Sequence, residues 1–294
     1  MAAVLKEDTG FWPVDLLILS YFGFAAILIL GWWGSLPGAT SWLAFHAAAG
    51  ALLIYEIKRP NATSRVFRHW YPVFYVAACY KEMAVLIPVV RHTDADQWLA
   101  RADYSFWHAN PTVWLERIQT PGVTEFLQII YTLFVPAVLL VAFVLWKKDR
   151  YPEFRYYAFL IALGFLVSYL GYLAVPARGP RFLLKNLQHV PLRGLWGFTV
   201  MQHTLDRLES AHYDCFPSGH TELTILAWWS SRTLTNCWFW AYFGYTLSII
   251  FATVYLRYHY TVDVLAGAVV AAILILATPS IYRNLNKRLQ VGRN

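Results

Sequence analysis

Charged side chains are scarce in this sequence. Asp, Glu, Lys and Arg together make up 14% of the 294 residues, whereas 58% of the residues are hydrophobic. Because a soluble globular domain usually carries about 25% charged residues, this shortage argues against a soluble domain. The mean hydropathy of +0.42 points the same way. The composition therefore predicts a protein that is embedded in a membrane.

Cysteine is rare as well, with three residues at Cys79, Cys215 and Cys237. No two of them are spaced as a CxxC pair, and an odd number cannot all pair within one chain. The pattern therefore predicts neither a disulfide framework nor a zinc site. We attribute the net charge of +7 to loops that are attracted to anionic lipid, and we expect no nucleic acid partner.

Long apolar runs are abundant. A transmembrane helix needs about 20 predominantly apolar residues, and eight runs come close to that length. The predicted fold class is therefore all-α, a polytopic membrane helix bundle of about eight transmembrane helices. Residues 1–69 would form two added N-terminal helices, and residues 70–294 a domain with a six-helix core. The eight runs are 14–34, 40–57, 70–90, 124–146, 155–176, 218–233, 236–256 and 261–282.

Basic residues predict the orientation of these helices, because Lys and Arg concentrate in cytoplasmic connections. More than half of the 24 Lys and Arg residues fall in alternate connections. Both termini are then cytoplasmic, and the loops at 177–217 and 257–260 are extracytoplasmic. The long outside connection at 91–123 is interpreted as a structural lid or rim. The inside set comprises Lys6, Lys58, Arg59, Arg65, Arg68, Lys147, Lys148, Arg150, Arg155, Arg232, Arg283, Lys287, Arg288 and Arg293.

A histidine and a carboxylate stand together just before the last apolar run, in the segment His-Tyr-Thr-Val-Asp at 259–263. On a helix, His259 and Asp263 would be one turn apart on one face. The carboxylate could then fix the tautomer of the imidazole and raise its basicity. A nucleophilic histidine needs such a partner.

A second histidine stands before the sixth apolar run, in the segment Cys-Phe-Pro-Ser-Gly-His at 215–220. The hydroxyl of Ser218, the backbone N–H of Gly219 and the imidazole of His220 gather where a helix is expected to begin. A helix N terminus is a natural binding site for an anion. Phosphate is the obvious candidate.

Together the two segments resemble the type 2 phosphatidic acid phosphatase superfamily of membrane lipid phosphatases and phosphotransferases. The family signature has a basic element after one helix, Pro-Ser-Gly-His before the next, and an Arg-containing third element that ends in His, three residues and Asp. The second element is complete at 217–220, and the third ends at His259 and Asp263. The resemblance covers roughly residues 70–282.

Two elements depart from the family pattern. The first usually reads Lys, six residues, then Arg-Pro, whereas this chain has Arg178-Gly-Pro-Arg181 without that lysine, for which Lys185 would substitute. The usual arginine of the third element falls at Thr253, and Arg257 would reach the same phosphate from the next turn of a helix. The third element is closer to the inositol phosphorylceramide synthase and sphingomyelin synthase branch than to the soluble haloperoxidase branch.

The resemblance implies a mechanism. His259 would attack phosphorus to form a phosphohistidine, Asp263 would orient the imidazole, and His220 would protonate the leaving oxygen and then activate the acceptor. This chemistry needs no metal and no other cofactor. The residues implied to hold the phosphate oxygens are Arg178, Arg181, Arg257, Lys185, Ser218 and Gly219.

The predicted function is hydrolysis of a lipid phosphate ester or diphosphate, phosphatidate-like or polyprenyl, at the outer membrane face. The alternative is a phosphotransferase that moves a phospho-headgroup onto a second lipid alcohol. The sequence leaves the acceptor open, although a basic, open outside loop favours water. The expected partners are the lipid substrate and the membrane. A transporter would also place ionisable residues among helices, but it should show repeated halves, and none is evident.

Overall fold

A computed structural model describes residues 10–59, 62–208 and 213–291. Within these residues the protein is all-helical, with an isolated bridge between Ala177 and Asp214 in place of any strand. Two 3-10 turns, Leu115–Ile118 and Lys185–Leu187, lie in the connections. The α-helices are α1 (Pro13–Gly31), α2 (Ala39–Lys58), α3 (Ala62–Val90), α4 (Asp96–Trp107), α5 (Pro111–Trp114), α6 (Pro121–Thr132), α7 (Phe134–Lys147), α8 (Tyr151–Ala174), α9 (Pro180–Leu183), α10 (Phe198–Leu208), α11 (Gly219–Ser231), α12 (Asn236–Tyr255) and α13 (Thr261–Val291).

Every predicted apolar run contains a helix, and the predicted all-α membrane bundle is confirmed. Helices α1, α3, α8, α12 and α13 are long and apolar enough to cross a membrane, and α6 with α7 is a sixth candidate, bent by 46°. Pro136 accounts for the bend, because it has no N–H to donate to the carbonyl oxygen of Thr132. Helix α11 has 13 residues, a rise of about 20 Å against a hydrocarbon core of about 30 Å. Eight full crossings therefore stay a prediction.

Helices α3 and α13 extend furthest beyond the predicted runs. Helix α3 begins at Ala62 rather than at 70, and α13 continues to Val291 rather than ending at 282. Backbone hydrogen bonding continues where the apolar residues stop, so an apolar run underestimates the length of its helix. The predicted domain boundary between residues 69 and 70 falls inside α3, and the division into two domains stays a prediction. Lys6 and Arg293 of the predicted inside set lie outside the described residues.

Helix α11 lies at the centre of the bundle, where it contacts α7, α8, α12 and α13. Its buried side chains include Thr221, Thr224 and Ala227, and small residues of this kind let neighbouring helices approach closely. The hydroxyl of Thr224 donates to the carbonyl oxygen of His220 at 2.6 Å, and that of Thr246 on α12 donates to the carbonyl oxygen of Thr224 at 3.2 Å. The helix that follows the Pro-Ser-Gly-His motif is thus held on several sides.

Buried polar pairs join the N-terminal helices to one another. Asp15 on α1 accepts hydrogen bonds from Arg68 and Tyr71 on α3, each at 2.5 Å. Glu82 on α3 contacts Nε2 of His46 on α2 at 2.7 Å. Charged groups at membrane depth require such partners, so Glu82 has a packing role. Helix α3 also packs along α8, which connects the N-terminal helices to the rest of the bundle.

The two histidine motifs lie at the same end of the bundle, as predicted. The backbone N–H of Ser218 donates to the carbonyl oxygen of Asp263 at 3.1 Å, and that of Arg181 donates to the carbonyl oxygen of Arg257, also at 3.1 Å. The basic connections lie at the opposite end, where Arg150 donates to the connection after α11. The basic and the histidine-bearing ends are therefore separate.

The orientation of the bundle can be tested by cysteine labelling. Cys79 and Cys215 are buried and Cys237 is exposed, so Cys237→Ser is a sufficient background. In intact cells we expect Asn186→Cys, at the histidine end, to react with an impermeant maleimide, and Asn284→Cys, at the basic end, to react only after permeabilisation. Both positions are exposed. The reverse labelling pattern would contradict the predicted topology.

Candidate active site

A cavity of about 400 Å³ lies beside the N terminus of α11. It is lined by His220 and His259 and by Arg178 and Arg181, so these predicted site residues share one space. Gly219 lines it too. The volume falls within the range of about 300 to 1,000 Å³ that is usual for ligand pockets.

From the histidines the cavity continues as an apolar slot between α3, α7 and α8. Its walls include Val76 of α3, Val138 of α7 and Ile161 of α8, and it reaches as far as Phe154. Along α8 the rise from Phe154 to Tyr172, which lines the cavity near the histidines, is about 27 Å. That length approaches the thickness of the hydrocarbon core, about 30 Å. The apolar slot therefore gives a hydrocarbon chain a path that ends at the polar site.

Ser218 and Gly219 form the start of α11. Ser218 is the N-cap residue, and its Oγ accepts a hydrogen bond from the backbone N–H of Thr221 at 3.3 Å, as hydroxyl residues commonly do. Its side chain is buried and does not line the cavity. At Gly219 a Cβ atom would lie 2.5 Å from Oη of Tyr172, so this close approach requires glycine. Both residues were predicted to hold phosphate oxygens, and of the two only Gly219 lines the cavity.

The imidazole of His259 is held through Nδ1. This atom lies 2.9 Å from the carbonyl oxygen of Cys215 and 3.5 Å from Oδ2 of Asp263. Because a carbonyl oxygen can only accept, Nδ1 carries the hydrogen and Nε2 keeps its lone pair. His259 is 4% exposed. The arrangement presents a fixed basic nitrogen to the cavity.

Asp263 is held in the first turn of α13. Its Oδ2 accepts hydrogen bonds from the backbone N–H of Tyr260 at 2.9 Å and from the thiol of Cys215 at 2.7 Å. Burial raises the pKa of the Cys215 thiol well above its usual value, and the nearby Asp263 carboxylate adds to the shift, so the thiol stays a donor. His259 itself precedes α13, which begins at Thr261. The predicted pairing is present, but the prediction that one helix carries both residues is wrong.

Cys215, His259 and Asp263 form a compact cluster. One ligand-type atom of each lies within 4.8 Å of the others, a spacing that metal ligands would also have. In the structure these atoms are engaged with one another and with the backbone, since the thiol donates to Asp263 and Nδ1 of His259 donates to a carbonyl oxygen. We therefore describe the three residues as a hydrogen-bonded cluster.

His220 is fixed by aromatic side chains. Its ring lies 4.3 Å from that of Tyr131, nearly parallel, and 4.3 Å from that of Phe134. The centroids of the His220 and His259 rings are 5.8 Å apart, so the two imidazoles are close neighbours in the cavity. Tyr131 also stacks on Tyr258 at 4.3 Å. No local sequence signal marks Tyr131, because this residue comes from α6, far from either motif.

Asp96 on α4 shapes the turn that carries the two cavity arginines. Its carboxylate accepts hydrogen bonds from the backbone N–H of Arg178 at 2.7 Å and of Gly179 at 2.8 Å. Gly179 has a φ of 97°, a conformation that favours glycine. The hydroxyl of Tyr260 donates to the same carboxylate at 2.9 Å. The segment interpreted as a lid or rim therefore organises the turn that carries Arg178 and Arg181.

Arg181 lines the cavity in contact with α10. Its Nη1 lies 2.7 Å from Oδ1 of Asp206, and its guanidinium lies 4.9 Å from the ring centroid of Tyr258. Arg178 lies 4.6 Å from the ring of Phe182. Neighbouring side chains that remain partly accessible thus orient the two arginines. An entering anion could replace these contacts.

Arg257 and Lys185 do not line the cavity. Arg257 has a φ of 67°, and its Nη2 lies 2.9 Å from Oε1 of Glu116 and 2.5 Å from the carbonyl oxygen of Val190. Because α12 ends at Tyr255, the prediction that Arg257 shares a helix face with the preceding turn is wrong. Lys185 is exposed in a 3-10 turn. Neither side chain is brought to the histidines.

The fold and the cavity define a helical membrane protein with a paired-histidine, arginine-lined site. Residues 97–277 match the sequence model of the PAP2 superfamily. Because this match covers more than half of the chain, the protein belongs to that superfamily, whose members are phosphatases and phosphotransferases. The matched range contains both histidine motifs and begins after α3. No curated protein and no solved structure matches the chain.

Proposed function

We propose that the protein hydrolyses a lipid phosphate ester or diphosphate, phosphatidate-like or polyprenyl, through a phosphohistidine at the extracytoplasmic face of the membrane. The observation that carries the proposal is the setting of His259. Its Nδ1 donates a hydrogen bond of 2.9 Å to the carbonyl oxygen of Cys215. Its ring lines the cavity that continues into the apolar slot. A nucleophile, two arginines and a path for a hydrocarbon chain thus share one space.

In the first step Nε2 of His259 attacks phosphorus. The N–P bond forms as the bond from phosphorus to the lipid oxygen breaks, and protonated His220 gives its proton to that oxygen. The imidazolium character that develops on His259 is stabilised by Asp263, whose Oδ2 lies 3.5 Å from Nδ1. The lipid alcohol then leaves, or the lipid monophosphate when the substrate is a diphosphate.

In the second step water attacks the phosphohistidine. Neutral His220 accepts a proton from this water, the N–P bond breaks, and inorganic phosphate leaves. Arg178, Arg181 and the N terminus of α11 at Gly219 stabilise the charge on the phosphate oxygens in both steps. Ser218 supports this arrangement as the cap of the helix rather than as a ligand.

The proposed chemistry uses no metal ion. We expect phosphate release to persist after dialysis against a chelator, because His259 and His220 supply the nucleophile and the acid without a Lewis acid. The assay is phosphate release before and after dialysis. Loss of activity that a divalent cation restores would show that a metal ion is required and contradict this expectation.

Arg181 and Arg257 should respond differently to replacement by alanine. Arg181→Ala should lower kcat/KM by about 10² to 10³, the usual cost of one donor to a developing oxyanion. Arg257→Ala should mainly lower stability, since breaking a buried ion pair costs about 3 to 5 kcal/mol, and its partner Glu116 is equally buried. Kinetics and thermal unfolding of both variants separate the two effects. If Arg257→Ala is stable and loses as much activity as Arg181→Ala, Arg257 would be assigned a role in phosphate binding, as the sequence predicts.

Transfer to a second lipid alcohol is the alternative function, and the apolar slot favours it, because a transferase must hold a lipid acceptor beside the phosphohistidine. With oxygen-18 water and a single lipid phosphate, a hydrolase releases labelled inorganic phosphate without any added alcohol. If phosphate release is negligible until a second lipid is supplied, and a new phospholipid then accumulates, the hydrolase proposal is wrong.

A further inference from the structure

Asp214 is an acidic residue of the cavity that the proposed phosphoryl chemistry does not use. It precedes Cys215, whose backbone N–H donates to the carbonyl oxygen of Ala177 at 3.1 Å and thereby fixes the local backbone. The side chain of Asp214 lines the cavity together with the histidines and arginines. The hydroxyl of Tyr80 on α3 donates to its Oδ2 at 2.5 Å.

A carboxylate is an unfavourable neighbour for a bound phosphate, because like charges repel. Burial raises the pKa of Asp214, although the hydrogen bond from Tyr80 and the charge of His259 oppose the shift. The carboxylate of Asp214 can instead accept a hydrogen bond from a neutral O–H or N–H group, which adds no negative charge to the cavity. Asp214 thus suits recognition of an uncharged donor.

Asp214 and Tyr80 stand where the apolar slot meets the phosphate site. Tyr80 is one helical turn from Val76, which forms a wall of the apolar slot. On the other side, Asp214 adjoins Cys215, whose carbonyl oxygen holds His259. A lipid with its chain in the apolar slot and its phosphate at His259 would bring the atoms next to the phosphate against Asp214.

We infer that Asp214, positioned by Tyr80, is a substrate-recognition residue that accepts a hydrogen bond from a hydroxyl or amide group of a lipid beside the reacting phosphate. The inference rests on the proposed function and narrows its substrate class. It favours lipids built on glycerol or a sphingoid base over polyprenyl phosphates, whose hydrocarbon chains carry no such donor. The donor belongs either to the phosphorylated lipid or to the alcohol that accepts the phosphoryl group.

The first arm of the test measures binding in a His259→Ala background, where the lipid is not consumed. The probes are a 1-acylglycerol 3-phosphate, which has a hydroxyl next to the phosphorylated carbon, and its 2-deoxy analogue. One hydrogen bond to a charged acceptor predicts binding of the hydroxyl lipid that is about 10- to 100-fold tighter. Adding Asp214→Leu should remove this preference, and it should not weaken binding of the deoxy lipid, because the change also removes a negative charge near the phosphate.

Two further variants serve as controls in the same background. Tyr80→Phe should reduce the preference, because it removes the donor that holds Asp214. Tyr75→Phe, the same change on the same helix, should retain it, since the Tyr75 hydroxyl donates to the carbonyl oxygen of Ala49 away from the cavity. If Asp214→Leu does not fold, Asp214→Asn replaces it, and a reduced preference is then expected.

The second arm identifies the lipid that carries the donor. The otherwise unmutated protein and Asp214→Leu are given a labelled lipid phosphate with and without diacylglycerol. Loss of preference in the first arm assigns the hydroxyl to the phosphorylated lipid, whereas a selective loss of phosphoryl transfer to diacylglycerol assigns it to the acceptor. An equal effect on both lipids in the first arm together with unchanged transfer, or no effect in either arm, overturns the inference. If phosphate release still depends on His259, the proposed function stands even though the inference about Asp214 is wrong. Failure of the proposed function would appear instead as the absence of any turnover of lipid phosphates.

Discussion

Replacing His259 with alanine is expected to abolish turnover of a lipid phosphate, a loss of about 10⁵-fold or more. The change removes Nε2, the nitrogen that forms the covalent intermediate, and no other described group occupies its place between the cavity and Asp263. Binding of the lipid should persist, because Arg178, Arg181 and the apolar slot are retained. Phosphate release measures the loss, and thermal unfolding shows that the variant is folded.

A histidine outside the cavity is the matched control for this variant. His92 is exposed just after α3, and His92→Ala should keep the activity of the original protein. Asp263→Asn should lower turnover by about a hundredfold, since a hydrogen bond to a charged group contributes about 2 to 3 kcal/mol, while the Cys215 carbonyl oxygen still holds Nδ1. Near-normal turnover in folded His259→Ala would remove the nucleophile assignment.

Replacing His220 with alanine is expected to slow both half-reactions by about 10² to 10⁴. The physical reason is the proton that His220 gives to the leaving oxygen in the proposed mechanism. The rings of Tyr131 and Phe134 hold His220 in the cavity. With an aryl phosphate ester, whose leaving oxygen needs no proton, formation of the phosphohistidine should recover. Hydrolysis should stay slow, because the attacking water still lacks a base.

Rapid-quench kinetics of His220→Ala on the aryl ester test this division of roles. We expect a burst of released phenol equal to the amount of enzyme, followed by slow turnover as the phosphoenzyme accumulates. The unmutated protein, in which the second step is not impaired, should show a much smaller burst. Equal losses on alkyl and aryl esters, with no burst, would show that His220 does not act as the acid.

The membrane bundle could be predicted from the sequence because apolar runs of membrane length are a direct physical requirement. The ends of the helices were less predictable. Helix α3 continues to Ala62 through Arg68 and His69, since hydrogen bonding within a helix does not depend on apolar side chains. Pro136 is a sequence signal for the bend between α6 and α7. The apolar run is continuous across this bend, so it predicts one unbroken helix.

The site could be predicted only as far as its motifs are local. The pairing of His259 with Asp263 and the approach of His220 follow from short segments. Arg257 was assigned to a helix that ends before it, because a φ of 67° is not visible in the residue type. Asp96, Tyr131 and Asp214 contribute through contacts with residues remote in sequence, and no local pattern marks such contacts.

Direct trapping of the intermediate tests whether His259 carries the phosphate covalently. Detergent-solubilised protein is mixed with a lipid substrate labelled with phosphorus-32, quenched in alkali within the first turnover, digested and sequenced by mass spectrometry. We expect one alkali-stable, acid-labile phosphate on the peptide that contains His259. It should be absent in His259→Ala and should accumulate in His220→Ala with the aryl ester. Turnover with no labelled peptide, or with the label on another residue, would contradict this expectation.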